Sequence, residues 1–402
     1  MIGASALPGD LKEYVVYLDD YDITNAANVV NIYQDIFTPT WSCQVMIDDT
    51  ENLIMTLPIR PGAKIKIKAK TQLNSKTDDA KEFKFELYKI GDRQFENQGH
   101  QSYVLYCVTH EFLVNQGKRV IQTFSNEKPN KIIERIISEY IKGSSVKSDE
   151  TDNAITATMS NWSPFTCASW LAKSALNKSA ADYIFYMEDE NKFRFVSLEK
   201  SYTSNDSEMT FSMKPSHIRE KGQLVDDYNV KFKDWYFENY DSLQNQSSGY
   251  YTSKLLAYDM IKKSITKKIY KFGEDIQKDL DKKYWDAEVF ESENLNVSFS
   301  PKYENSFTGS VETWHGSRKN NIMKLEQDRL VIQLPGGVKA WQWLGKSCTV
   351  ELPSNQGRDA SLEQDKYYKG KYLITAISHY MGKHGYMVNL EMIKKRLNEK
   401  PQ

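Results

Sequence analysis

Cysteine is scarce in this 402-residue chain: Cys43, Cys107, Cys167 and Cys348 stand far apart and form no CxxC pair. That excludes a CxxC-based metal or redox motif and points to reduced core thiols in a protein folded in a cytoplasm. Long apolar runs are also missing, so no segment has the length of a bilayer-spanning helix and no membrane partner is expected. Met1 to Asp10 lacks the basic start and apolar run of a secretory signal. Neither sign of charge dominates: 53 Lys and Arg face 54 Asp and Glu, for a formal net charge of −1. A protein that grips nucleic acid by neutralising phosphates needs a basic excess, so that class is disfavoured. There is no GxSxG elbow, and no serine or cysteine stands in a nucleophile motif.

What is present is β-pattern. Charged residues make up 27% and hydrophobic residues 40% of a chain long enough for two or more cores, so the protein is globular. At the C-terminal end Leu330, Ile332 and Leu334 alternate with Val331 and Gln333, the period of a strand, and Pro335-Gly336-Gly337 breaks it. Gly345 to Leu352 reads as a second strand. A polar excursion from Ser354 to Lys369 follows, then paired strands at Gly370 to Ile377 and Tyr386 to Met392. The N-terminal part repeats the layout. Pro61 to Lys68 is a strand introduced by glycine, Lys70 to Lys81 is a polar excursion, and strands follow at Phe83 to Ile90 and Tyr103 to His110. Together with strands at Glu13 to Leu18, Asn28 to Ile36, Ser42 to Ile47 and the run Leu53 to Ile59, this predicts an all-β first module. Two copies of one β-module form a weak internal repeat.

Between them the period changes. Pro129 opens a helix whose Ile132, Ile133, Ile136, Ile137 and Tyr140 make one apolar face, and Gly143 to Asn153 reads as a polar loop. Ser163-Pro164 caps a second helix through Leu176, and Tyr183 to Met187 with Lys192 to Leu198 makes a hairpin. A strand is expected over Asp227 to Phe237, a helix from Gly249 to Lys263, a polar surface insertion over Val297 to Ser310, and a helix over Ser317 to Leu325. The expected fold class is α+β, mostly β. Its domains are a first β-barrel over 1–125, a helix–helix–hairpin unit over 126–226, a split second barrel over 227–262 and 320–397, and an insertion over 263–319.

No chemical motif completes itself. Gly345-Lys346-Ser347 lacks the earlier glycine of a phosphate loop, Ala340 standing there, and it opens no helix. His379 and His384 flank a turn and read as hairpin-surface histidines; no third metal ligand has a familiar spacing. Asp19, Asp20 and Asp22 lack the glycine and closing glutamate of a calcium loop, Asn25 and Asn31 standing there. Lys64, Lys66 and Lys68 line one face of one strand; a basic stripe could touch DNA, but exposed lysines also keep strands from mispairing, and a solvated face is favoured. No cofactor and no metal is expected.

Two separated β-modules, a helix–helix–hairpin unit between them and a polar insertion in the second resemble the baseplate hub proteins of contractile phage tails. The hub part of type VI secretion spike proteins is similar. The residues that carry the resemblance run from Phe37-Thr38-Pro39-Thr40-Trp41 to Leu57-Pro58-Ile59-Arg60-Pro61-Gly62. They continue with Ser163-Pro164-Phe165, Tyr183 to Tyr186 and Phe193 to Leu198, and end with Gly370 to Ile374 and His379. The resemblance implies two tail-tube-like antiparallel barrels per chain and a homotrimer, hence six modules about one axis, able to pair a sixfold tube with a threefold spike. The implied partners are tail tube protein rings, a central spike protein, other baseplate proteins and DNA passing without specific binding. The implied place is the baseplate of a virion tail, after synthesis in a host cytoplasm. With the chain ending at Gln402, spike and lysozyme domains would be separate chains. Interface candidates are Trp41, Asp48, Asp49, Lys64, Lys66, Lys68, Tyr372 and His379. A non-enzymatic structural role leads. The alternatives are a tail-associated peptidoglycan hydrolase, a glycan-binding β-protein or the hub of a phage-derived injection system. Phage-type lysozymes pair a glutamate with an aspartate nine residues on; Glu13 and Asp22 have that spacing, but Asn28 replaces the family's threonine and Glu13 sits in an expected strand.

Overall fold

The computed structural model describes residues 11–57, 59–71, 80–97, 99–178, 180–204, 209–213, 229–232, 234–238, 241–271, 296–302, 311–325, 328–336, 339–352, 368–382 and 385–394. The fold is mostly β. Its first module contains β1 (Leu11–Leu18), β2 (Tyr21–Asp22), β3 (Ala27–Asp35), β4 (Ser42–Asp49), the short helix α1 (Leu53–Thr56), β5 (Lys64–Thr71), β6 (Lys81–Asn97) and β7 (His100–Val108). The alternation anticipated from the sequence is the burial pattern: Val30, Ile32, Val45, Ile47, Ile65 and Ile67 are buried while their strand neighbours face outward. The run Leu53 to Ile59 leads from β4 toward Pro61-Gly62. It opens with α1, where the buried Asp49 carboxylate accepts from the backbone N–H of Leu53 at 2.8 Å and of Glu51 at 3.2 Å.

A connecting helix α2 (His110–Gln116), absent from the expected pattern, leads to a central unit: β8 (Val120–Glu127), α3 (Pro129–Tyr140), β9 (Ser145–Ser148), β10 (Ile155–Trp162), α4 (Pro164–Ser174), β11 (Tyr183–Asp189), β12 (Lys192–Ser197) and α5 (Leu198–Thr203). The two helices and the hairpin stand where the apolar periods put them. Ser163 caps α4 by accepting from Thr166 N–H, with Pro164 at the first turn. The polar stretch after Gly143 is not a loop throughout: β9 pairs in parallel with β12.

The second module holds β13 (Thr210–Met213), β14 (Asn229–Phe232) and β15 (Asp234–Glu238). Next come α6 (Ser242–Ser248), β16 (Thr252–Asp259), β17 (Ser264–Lys271), β18 (Val297–Lys302) and α7 (Val311–Lys324). The module resumes with β19 (Arg329–Pro335), β20 (Ser347–Glu351), β21 (Gly370–Gly382) and β22 (Gly385–Lys394). The expected helix from Gly249 to Lys263 is a strand. Asp241 caps α6 earlier, accepting from Leu243 and Gln244, and Gly249 ends it in the left-handed conformation at φ 81°. Among the described residues β16 pairs only with β17 and β18, in a sheet separate from that of the two modules, and there Leu255, Ala257 and Tyr270 pack against Val311 and Trp314 of α7. The polar run from Val297 begins with β18, and α7 starts at Val311, before Ser317.

All strands of both modules belong to one 14-stranded sheet, ordered β14-β13-β20-β21-β3-β4-β7-β6-β5-β1-β2, with β15, β19 and β22 branching from β21. Within each module the same path recurs. β5-β6-β7-β4-β3 corresponds to β20-β21-β22-β19-β15. The repeat glimpsed in the sequence is therefore a repeat of strand order and register.

Candidate assembly interface

The two modules meet strand to strand. β3 pairs antiparallel with β21, from Asp35 opposite Ala376 to Val29 opposite Gly382. Beneath this joint lies a buried polar chain. His379 Nε2 is 3.0 Å from Gln34 Oε1 and its Nδ1 is 2.7 Å from the Tyr386 hydroxyl. Gln34 Nε2 donates to the Trp341 carbonyl at 3.4 Å, which leaves its Oε1 to accept. The proton of a neutral His379 then sits on Nε2, and Tyr386 donates to Nδ1. Burial, with Lys81 nearby, pulls the His379 pKa down from 6.5 to about 3, and burial pushes the Tyr386 hydroxyl up. Both rings thus stay neutral. His379 is an interior connector of two modules, and not the hairpin-surface histidine its place beside a turn suggested; His384 lies outside the described residues.

The other interface candidates divide by burial. Trp41 is buried and donates from Nε1 to the Met187 carbonyl at 3.1 Å, tying the first module to the central hairpin. Asp49 is buried under Gln101 and Tyr103, which reach its Oδ2 at 3.0 and 3.3 Å. Tyr372 is buried with its hydroxyl on the Tyr368 carbonyl at 2.5 Å. With His379 these four side chains are buried within the chain and make their hydrogen bonds inside it. Asp48 is half-exposed against His100. Lys64 is exposed, while Lys66 and Lys68 are half-buried, Lys68 lying 3.6 Å from Glu82. The stripe therefore stands on one face of β5 with an acidic neighbour. Such exposed pairs contribute little to stability.

Above the joint the sheet presents a second, solvent-facing surface that single-strand reading did not reveal. Asn389, Ser378, Tyr380, Asn31, Gln44 and Tyr106 stand on it across β22, β21, β3, β4 and β7. These six side chains are polar or aromatic and uncharged, and the carboxylates Asp35 on β3 and Glu391 on β22 stand on the same face.

The one carboxylate pair with lysozyme-like spacing, Glu13 and Asp22, is not brought together. Glu13 lies on β1 four residues from Tyr17, the partner of Asp22, a separation of about 13 Å along the strand. Asp22 instead accepts from Thr24 N–H at 2.9 Å. Among the described residues no group of three or more His, Cys, Asp or Glu could hold a metal ion. The four cysteines are free and buried, and burial pushes their thiol pKa values up, that of Cys107 and of Cys167 to about 12. No helix among the described residues is long and apolar enough to cross a membrane.

The fold and the joint define a class: a two-module β-protein whose modules share one sheet, with an α+β unit between them. No family model and no curated protein matches the sequence. Among solved structures the chain has the fold of phage tail proteins. It is similar to a tail protein from Neisseria meningitidis MC58 (9% identity, TM-score 0.57, covering 95% of this chain and 96% of that one). It is equally similar to the 43 kDa tail protein of prophage MuSo2 from Shewanella oneidensis (9% identity, TM-score 0.57, covering 95% and 98%). A component of the Escherichia coli type VI secretion system matches at a TM-score of 0.46 and 10% identity, covering 100% of this chain and 78% of that one.

Proposed function

We propose that this chain is a structural hub protein of a contractile tail, acting as a trimer that joins a sixfold tail tube to a threefold central spike. The observation that carries the reading is the β3–β21 joint. Two modules of one strand order are fused edge to edge, so three chains supply six similar modules to a ring. The outer face, polar and aromatic with the acids Asp35 and Glu391 also on it, supports a second element of the reading, a wall past which DNA moves without being held. A basic face would bind phosphate and retard passage. The partners are then tube rings on one side and a spike on the other. The shared fold with tail proteins supports a place in a tail; the baseplate is the position such an adapter occupies.

Light scattering over a concentration series tests this. A species of three times the 46.6 kDa chain mass is expected, seen as a ring with an open axis by electron microscopy. A monomer at every concentration, also with tube and spike proteins added, would sink the reading.

A further inference from the structure

The register of the repeat says which edges of the chain are incomplete. In the first module Gly62 N–H donates to Leu87 O at 2.7 Å and Leu87 N–H to Ala63 O at 2.9 Å. In the second, Gly345 N–H donates to Ile374 O at 3.0 Å and Ile374 N–H to Lys346 O at 3.0 Å. One residue further on, both long strands bulge, between Leu87 and Lys89 and between Ile374 and Ala376. β6 and β21 are therefore equivalent as far as Gly91, with Leu87 matching Ile374 and Gly91 matching Ser378; beyond it β6 has a further register shift, between Gly91 and Gln94, that β21 lacks. Opposite them Cys107 faces Leu87 and Met392 faces Ile374. Cys107 in turn pairs with Cys43, and Met392 with Leu330. Cys43 faces Ile32 of β3, and Leu330 faces Phe237 of β15. β3 and β15 are equivalent as well, with Tyr33 matching Glu238.

Beyond its pairing with β20, the edge of β21 is occupied by β3. The corresponding edge of β6, from Tyr88 to Phe95, pairs with no strand among the described residues, and β15 pairs only with β19. Burial agrees. Val30, inside the filled joint, is 0% exposed, whereas its equivalent Trp235 on β15 is 39% exposed although it stands opposite the buried Ile332. Phe95, at the end of β6, is 74% exposed. Open edges carrying large apolar side chains are what an aqueous protein normally hides.

Resting on the trimeric reading above, we propose that β15 of one copy pairs antiparallel with the Tyr88 to Phe95 edge of β6 in the next copy, repeating between chains the joint that β3 and β21 make within one. Glu238 then stands opposite Gly91, as Tyr33 stands opposite Ser378. The β6 edge brings Lys89 and Arg93 with one acid, Asp92, and β15 brings Asp234 and Glu238, the latter bridged to Arg329 of its own chain, so the net charges of the two segments are opposite. Each chain offers one edge of each kind, a head-to-tail arrangement that closes into a ring.

The test is a full-length Gly91→Cys, Glu238→Cys double variant. Facing residues in an antiparallel pair have Cα atoms about 4.5–5.5 Å apart, within disulfide reach, and the native thiols are buried. A side chain at 91 displaces the rim of the Tyr106 ring, 2.9 Å from its Cβ, so the fold is checked by circular dichroism. After mild oxidation, covalent species of two and three chains are expected on a non-reducing denaturing gel, and neither single variant gives them. Trp235→Glu, at an exposed ring, is expected to weaken assembly at least tenfold with the fold intact. A trimer whose paired cysteines do not cross-link, or that tolerates Trp235→Glu, overturns the edge pairing and leaves the ring. A chain that is monomeric throughout overturns both.

Discussion

His379 and Gln34 meet Nε2 to Oε1 at 3.0 Å although 345 positions separate them, and the contact lies inside the strand joint that makes two modules one body. Replacing His379 with Leu removes both ring hydrogen bonds and leaves Gln34 Oε1 and the Tyr386 hydroxyl buried without that partner. Each stranded group costs about 1–3 kcal/mol. His379→Leu is expected to lower stability by about 2–4 kcal/mol in denaturant titration, with an unchanged far-ultraviolet spectrum. A loss under 0.5 kcal/mol would mean the polar chain does not hold the joint.

The same residue gives a pH dependence of defined sign. Its pKa falls from 6.5 to about 3 on folding, so between those values the unfolded chain binds the proton and the folded chain does not. Its contribution is full above pH 6.5 and is lost as pH falls toward 3. The slope approaches about 1.4 kcal/mol per pH unit in the middle of that window. Unfolding free energies measured from pH 7 to 4 should decline less steeply in His379→Leu than in the wild type. Parallel curves would exclude His379 as a source of acid sensitivity.

Gly62 and Gly345 occupy the same place in the two modules and both have positive φ, 87° and 72°. A Cβ at Gly62 meets nothing within 4 Å, whereas one at Gly345 would lie 2.0 Å from the Tyr186 hydroxyl of the central hairpin. Gly62→Ala should cost about 1 kcal/mol, the conformational penalty alone. Gly345→Ala should cost at least about 2–3 kcal/mol, because the second module must draw back from the central unit. Thermal unfolding of the two variants decides it, and equal shifts would refute the close approach.

Arg318 of α7 reaches the central unit, donating to the backbone carbonyls of Tyr183 and, at 3.4 Å, Ala172. Burial pulls its pKa down to about 10 while the Asp182 carboxylate opposes that shift. Arg318→Ala should lose about 2–3 kcal/mol, the range for hydrogen bonds to a charged group. It should also speed amide exchange in α7 before the β-modules. Uniform acceleration across the chain would show that α7 is not held locally by this residue.

Much of the fold was legible because half-buried strands and amphipathic helices write their period locally. Ile132, Ile133, Ile136 and Ile137 defined α3, and Leu330, Ile332 and Leu334 defined β19. The region of β16 misled because Tyr250 to Met260 carries apolar residues without a clean period, and only Gly249 marked the end of α6. The interface candidates read less well. Trp41, Asp49 and His379 sit beside turns or polar stretches, yet each is buried with a partner from a distant segment, Met187, Gln101 and Gln34 respectively, while Tyr372 is buried with its hydroxyl on the nearby Tyr368 carbonyl. Strand edges are decided by pairing across hundreds of residues, and one strand's composition does not announce which of its edges will be filled.

That distance sets a clock on biosynthesis. β3 is complete once residue 35 is made, but its neighbour β21 ends at residue 382. At about 5–20 residues per second, the edge of β3 waits on the order of 20–70 s for the strand that covers it. During that time the first module is a nascent sheet with an open, apolar-backed edge, on polysomes where other copies stand in the same state. The pairing that joins the two modules also makes a strand synthesised hundreds of residues later the one that covers the edge of β3.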